Sequence, residues 1–183
     1  TWFKTSSNGI IFNQHNNVQP PTSPTSYIPV FWVIPDGRLR AELWTGTVSA
    51  IYTSGSVADN KWHQAVMVGN NTNQYLYLDG ALIGSRGGTI IQNWWVRTAI
   101  GTGFASTREG YGAVWKYFPG LIDQVRIYNY ARTPAQIAWN YNRGAPVGWW
   151  RFDECEGTVA HDVSGNNLNG AINIGATAPQ TAA

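Results

Sequence analysis

At 183 residues the chain is long enough to bury a sizeable core. Ten Trp, nine Tyr and 20 Gly, set against only 12% charged residues, point to an all-β chain rich in turns. A net charge of +2 without a Lys/Arg run leaves nucleic acid and anionic membrane no electrostatic footprint, and no stretch approaches the ~20 apolar residues of a membrane span.

The chain opens at Thr1 without an initiator Met or a signal peptide, and is expected to be a processed or excised piece. "VQPPTSPTS" (18–26) is Pro-rich and reads as an exposed loop. "YIPVFWVI" (27–34) and "RLRAELW" (38–44) are strand-length, with Asp36-Gly37 between them as a two-residue hairpin turn. "KWHQAVMVG" (61–69) and "QYLYLDG" (74–80) follow, joined by the polar tip Asn70, Asn71, Thr72 and Asn73, and Asp79-Gly80 makes a second two-residue turn. Trp62, Val66 and Val68 alternate on one face. Adjacent Trp94 and Trp95, like Trp149 and Trp150, must point to opposite sides of any strand they occupy.

The segment "GFASTREGYGAVWKYFPG" (103–120) shows no strand pattern and is expected to be a long loop. It carries Tyr111, Trp115 and Tyr117 beside Arg108, Glu109 and Lys116. Flat aromatic rings flanked by polar donors suit sugar rings, which present apolar C–H faces and hydroxyl edges; the alternative is that these residues pack the loop onto a sheet. "GLIDQVRIYN" (120–129) is the last long strand. Alternation puts Asp123 on a face with Leu121, Val125 and Ile127, hence inward or at a rim. There its carboxylate must be hydrogen-bonded or metal-bound. One helix is expected at 133–142, with Thr133 as N-cap, Pro134 in the first turn, Gln136 completing a capping box, and Ile137 and Tyr141 pinning it to a sheet. One short helix after many strands means a β-sandwich with a helical clip.

The order "SVADNKWHQAVMV", "QYLYLDGALIG", "AIGTG" and "YFPGLIDQVRIYNYARTPAQI" resembles the laminin G-like domains of the concanavalin A-like lectin/glucanase superfamily, in particular the repeats of bacterial surface proteins. The resemblance covers roughly residues 1–143 and implies an antiparallel jelly-roll β-sandwich with one short helix toward its C-terminal side. It also implies that Trp62 is a core residue. Residues 147–175, "VGWWRFDECEGTVAHDVSGNNLNGAINIG", resemble the first strand and following loop of that same family, so the ends of the chain are out of frame with the fold. Residues 1–146 are therefore expected to form most of a laminin G-like sandwich. Residues 147–183 are expected to fold back beside the strand 120–129, since fewer than 40 residues cannot bury a core alone. They could instead begin a next repeat, or donate their strand to a neighbouring copy.

"HDVSGNNLNG" (161–170) offers Asp162, Asn166 and Asn167 as hard oxygen ligands on a tight loop, a candidate structural Ca²⁺ site reaching Asp123; Asx-turns alone would also explain these residues. For glycoside hydrolysis the nearest carboxylates are Asp153, Glu154 and Glu156. Glu154 and Glu156 share a face if the strand persists, but no third carboxylate follows. The three histidines stand apart, and the lone cysteine, Cys155, is expected to be a small buried side chain. The sequence thus points to a non-catalytic, secreted or cell-surface binding or adhesion module. Its ligand surface lies on Arg108, Glu109, Tyr111, Trp115 and Tyr117, and its partner is a glycan, a surface protein or neighbouring copies of itself. The alternative is a structural subunit assembled by strand exchange, and a glycoside hydrolase is the distant third.

Overall fold

The computed structural model describes residues 1–16, 20, 22–91, 97–106, 113–142, 148–154 and 156–172, in two compact units, Thr1–Tyr141 and Asn142–Ala183. Among the described residues no helix is long and apolar enough to cross a membrane. Unit 1 is an antiparallel sandwich of the jelly-roll type. One sheet runs in the order β12(Gly120–Asp123), β1(Trp2–Thr5), β6(Trp62–Gly69), β7(Asn73–Leu78), β8(Ala81–Gly87). The other runs β5(Ile51–Ser56), β4(Arg38–Ala41), β3(Tyr27–Val33), β2(Gly9–His15), β9(Arg97–Ile100). Every strand pairing in unit 1 is antiparallel, as hairpin connections allow.

The core lies where the two inner faces meet. Phe3, Ala65 and Leu76 of the first sheet face Ile11, Val30, Leu39 and Ile51 of the second, and Phe118 closes edge-on against Phe3 with ring centroids 6.3 Å apart. Burying each large apolar side chain contributes about 1.5–3 kcal/mol, so this layer dominates the unit's stability.

Two further layers lie outside the sandwich. On the outer face of the first sheet sits α1(Pro134–Tyr141), whose fully buried Ile137 packs on Val66, Val68, Tyr75 and Tyr77. Its start is the expected capping box: Gln136 N–H donates to Thr133 Oγ1 (3.3 Å) while Thr133 N–H donates to Gln136 Oε1 (3.0 Å). Tyr141, one helical turn on, stacks on Trp2 at 5.6 Å. On the outer face of the second sheet lies a ribbon of β10(Thr102–Ala105) and β11(Val114–Tyr117), where Ala105 packs with Ile10 and Trp32. Gly103 permits that approach, because a Cβ there would meet Asn13 at 2.5 Å.

Four sequence expectations need correction. The described residues of 103–120 are not a free loop: 103–105 and 114–117 belong to this ribbon, and Gly120 opens β12. The strand expected over 120–129 ends at Asp123, because Gln124 takes a left-handed φ of 48° and breaks the alternation. Ile122 then faces the core, Leu121 and Asp123 face outward, and Val125 turns back in. Trp62 is not core: its face is the one α1 covers, and Trp62 lies at the end of β6 with 43% of its surface exposed. At Asp36-Gly37 only Gly37 has positive φ, and Gly37 N–H bonds to the Ile34 carbonyl at 2.8 Å. Pro35 holds its own φ negative, which gives a three-residue turn ending in a glycine bulge. At Asp79-Gly80 both residues do take positive φ, as the two-residue turn requires.

Unit 2 is small. Two short strands, β13(Val159–Ala160) and β14(Gly170–Ala171), pair antiparallel, and Trp150 bridges to Asp162. Among its described residues Ala160 is the one buried apolar side chain.

Candidate functional site

The aromatic segment proposed for sugar contact divides in two. Arg108, Glu109 and Tyr111 lie outside the described residues. Trp115 and Tyr117 are on β11, two residues apart and hence on one face. Trp115 is half-buried: its ring meets His15 edge-on at 5.3 Å and Phe104 at 5.7 Å, and its indole N–H donates to the Thr22 carbonyl at 3.1 Å. Phe104 in turn meets Tyr27 at 4.9 Å. Trp115 therefore ties the ribbon and the 22–26 loop to the second sheet. Tyr117 is 67% exposed and follows it on a ribbon that this packing makes rigid.

The candidate cation loop is organised around Asp162. Its Oδ1 accepts Trp149 N–H and Ser164 N–H, both at 2.8 Å; its Oδ2 accepts Ser164 Oγ–H at 2.8 Å and Leu168 N–H at 2.9 Å. A carboxylate has about four lone-pair sites, and all four meet donors. These bonds, the one from Trp149 foremost, hold the carboxyl far below the usual carboxylate range. Asn166 donates from Nδ2 to Ser164 Oγ at 3.2 Å, Asn167 takes a φ of 56°, and Asn169 Oδ1 accepts the Asp162 N–H. The arrangement does not fit a calcium ion, which would have to displace donors from both Asp162 oxygens. The loop is an Asx-type clamp. Asp123 belongs to the other unit and is exposed rather than buried; its Oδ1 accepts the N–H of Gln124 at 2.7 Å. Among the described residues no three His, Cys, Asp or Glu side chains gather as a metal site.

The carboxylates of 153–156 are not arranged along a strand. The Glu156 N–H bonds back to the Glu154 carbonyl at 2.6 Å, so the chain turns between them. Glu154 accepts the His161 N–H at 2.7 Å, and that bond lowers its pKa. A glycosidase acid needs its pKa raised. Cys155, Trp94 and Trp95 lie outside the described residues. Trp149 and Trp150 are both substantially exposed, the Trp150 indole N–H donating to the Leu168 carbonyl at 2.8 Å and Arg151 lying over the Trp149 ring at 4.8 Å.

Two ionisable groupings escaped the sequence reading. His63 lies between Asp79 (Nδ1 to Oδ2, 2.7 Å) and Asp59 (Nε2 to Oδ1, 3.1 Å), and its pKa is raised, chiefly by the Asp79 hydrogen bond and then by Asp59. Asp79 does double duty, since its other oxygen accepts Gln64 N–H at 2.8 Å. The signal was present only as an Asp four residues before His63; the Asp79 partner depends on strand register. The second is an ion pair between Arg40 and Glu42, buried at the face of the second sheet that carries Trp32. Glu42 also accepts the Ser49 N–H at 2.5 Å. Its i, i+2 spacing on a strand puts both residues on one face, and nothing in the sequence marks that face as buried.

A family model of the laminin G type, described as the concanavalin A-like lectin/glucanases superfamily, matches residues 1–138. Among solved structures, an S-layer domain-containing protein (residues 221–444) from Clostridium thermocellum ATCC 27405 is similar at a TM-score of 0.41 and 16% identity, over 75% of this chain and 64% of that one. The chain thus spans less than two thirds of that structure's length. No curated protein matches in sequence.

Proposed function

Because the chain belongs to the concanavalin A-like lectin/glucanases superfamily, we propose that it is a non-catalytic binding module of a secreted or cell-surface protein, with carbohydrate as its ligand class. The observation that supports this reading is Tyr117, an exposed ring on a ribbon that the neighbouring Trp115 anchors through Phe104 and His15. A flat ring held still loses little freedom when a sugar face stacks on it. The hydrolytic branch of the family is the weaker reading, because Glu154 is held in its ionised form by the His161 N–H. In this reading the 161–170 loop is held by Asp162 and takes no calcium. A single shallow stacking site binds weakly and gains strength from repeated copies.

The test is a glycan array on the full chain, followed by Tyr117→Ala. Binding reduced at least tenfold by Tyr117→Ala, with an unchanged melting temperature, supports the reading. Binding that ignores the substitution moves the ligand elsewhere, and turnover of a β-glucan that Glu154→Gln abolishes overturns the non-catalytic assignment.

A further inference from the structure

A crossover, residues 57–61, carries the chain from β5 in the second sheet to β6 in the first. Its backbone is pinned twice: Val57 N–H donates to the Gly37 carbonyl and Asn60 N–H to the Thr5 carbonyl, both at 2.8 Å. At the start of β6 the largely buried His63 ring has Asp59 of this crossover on Nε2 and Asp79 of the β7–β8 turn on Nδ1. The other groups around it come from four elements. Phe3 of β1 packs on the ring with centroids 5.8 Å apart, and Lys4 lies on the opposite face of that strand, paired with Trp62. Lys61 Nζ stands 3.6 Å from Asp59 Oδ2, and Tyr141 of α1 is close enough to Asp79 for that charge to raise its pKa, after burial.

Each carboxylate also caps a backbone N–H. Asp79 Oδ1 accepts Gln64 N–H at 2.8 Å, and Asp59 Oδ1 accepts Lys61 N–H at 2.9 Å. An imidazolium has two N–H donors and serves both carboxylates, whereas the neutral ring has one donor and one lone pair. It can then serve only one of them. The Asp79 contact is the shorter (2.7 against 3.1 Å) and its side chain the less exposed (28% against 36%), so Nδ1 keeps its proton. Nε2 is left facing Asp59 Oδ1, acceptor against acceptor. We propose that His63 is a proton-operated latch: loss of its Nε2 proton to water frees the Asp59 carboxylate, and with it the Lys61 N–H cap, while Asp79 keeps the β7–β8 turn bound. The exposed Lys61 ammonium makes a surface pair that holds little. The bonds of Val57 and Asn60 keep the crossover in place, so the change stays local to Asp59 and Lys61. The raised pKa of His63, owed first to the Asp79 hydrogen bond, sets the step above the ordinary 6.5. The latch is therefore closed in mild acid and opens as pH rises through the folded value. The proposal is independent of glycan binding.

The test is NMR on the full chain through the titration of His63. Long-range ¹H–¹⁵N spectra of the ring identify which nitrogen holds the proton, and amide exchange, corrected for its intrinsic pH dependence, follows the two caps. The proposal expects the neutral ring to be protonated on Nδ1. It also expects protection of the Lys61 amide to fall about tenfold over the same transition while that of Gln64 holds. Asp59→Asn should lower the His63 pKa and cancel the Lys61 loss, because the Asn amide can donate to the bare Nε2. Asp79→Asn should move the neutral ring's proton to Nε2, where it faces Asp59, and should also preserve the Lys61 cap. A neutral wild-type ring protonated on Nε2, Lys61 protection that ignores the titration, or a loss that persists in Asp59→Asn would each overturn the proposal.

Discussion

The two units of this chain are held together by opposite means. Thr1–Tyr141 is organised by burial, with apolar layers between the sheets, under α1 and under the β10–β11 ribbon. The described part of Asn142–Ala183 buries one apolar side chain, Ala160, and is organised by one half-buried carboxylate. Asp162 alone gathers the backbone of Trp149, Ser164 and Leu168, residues up to 13 positions away. A short polar loop can be ordered by one acceptor that satisfies several N–H groups, provided that acceptor stays charged. Such order carries no hydrophobic reserve, and apolar residues such as Phe152 and Leu168 stay at the surface.

The largest expected effect comes from breaking charge where burial rules. Glu42→Ala leaves the Arg40 guanidinium buried without its carboxylate, which costs about 3–5 kcal/mol; urea unfolding of the full chain should show it as a lower midpoint at an unchanged slope. Next comes Ile137→Ala, which opens a cavity between α1 and the sheet and costs about 2–5 kcal/mol. Its unfolding curve should shift while the Asp162 loop keeps its NMR chemical shifts.

Much of unit 1 was legible where the cause is local. Thr133 and Gln136 are three residues apart and cap each other, so the helix could be read directly. Asp79-Gly80 tolerates positive φ at both positions, so that turn could be read too. What failed depends on partners distant in sequence. Alternation placed Trp62 correctly with Val66 and Val68, but which face of a sheet is covered is decided by α1, some seventy residues on. The ribbon was hidden because Gly103 reads as a loop residue until Asn13 is found beneath it. Asp123 was misplaced because the left-handed Gln124 has no sequence mark. Of the proposed sugar-binding residues, Trp115 was legible as an important aromatic, but its partners His15 and Thr22 lie more than ninety residues away, so packing and binding looked alike.

Smaller effects separate the two units by pH and by metal. His63 has a raised pKa in the folded chain, so its contribution is complete below the ordinary value of 6.5 and fades as pH rises through the higher folded value. Wild-type melting temperature should therefore fall modestly across that window relative to His63→Gln, and parallel curves would remove His63 from the account. The sign for Asp162 is reversed. Its depressed pKa keeps the clamp present above the ordinary carboxylate value of 3.8 and releases it only as pH falls through the depressed one. The smallest expected effect is that of calcium. With both Asp162 oxygens occupied, neither added Ca²⁺ nor a chelator should move the melting temperature, because a ligand stabilises only by binding the folded state. A rise with Ca²⁺ would reinstate the cation site.

The division of labour between burial and a single carboxylate is tested most directly by amide hydrogen exchange on the dilute full chain, wild type against Asp162→Asn. The account predicts that Trp149, Ser164 and Leu168 lose protection in the variant while the β6 and β7 amides of residues 62–78 exchange as before. Unchanged protection at those three amides, or loss spread equally through 62–78, would contradict it.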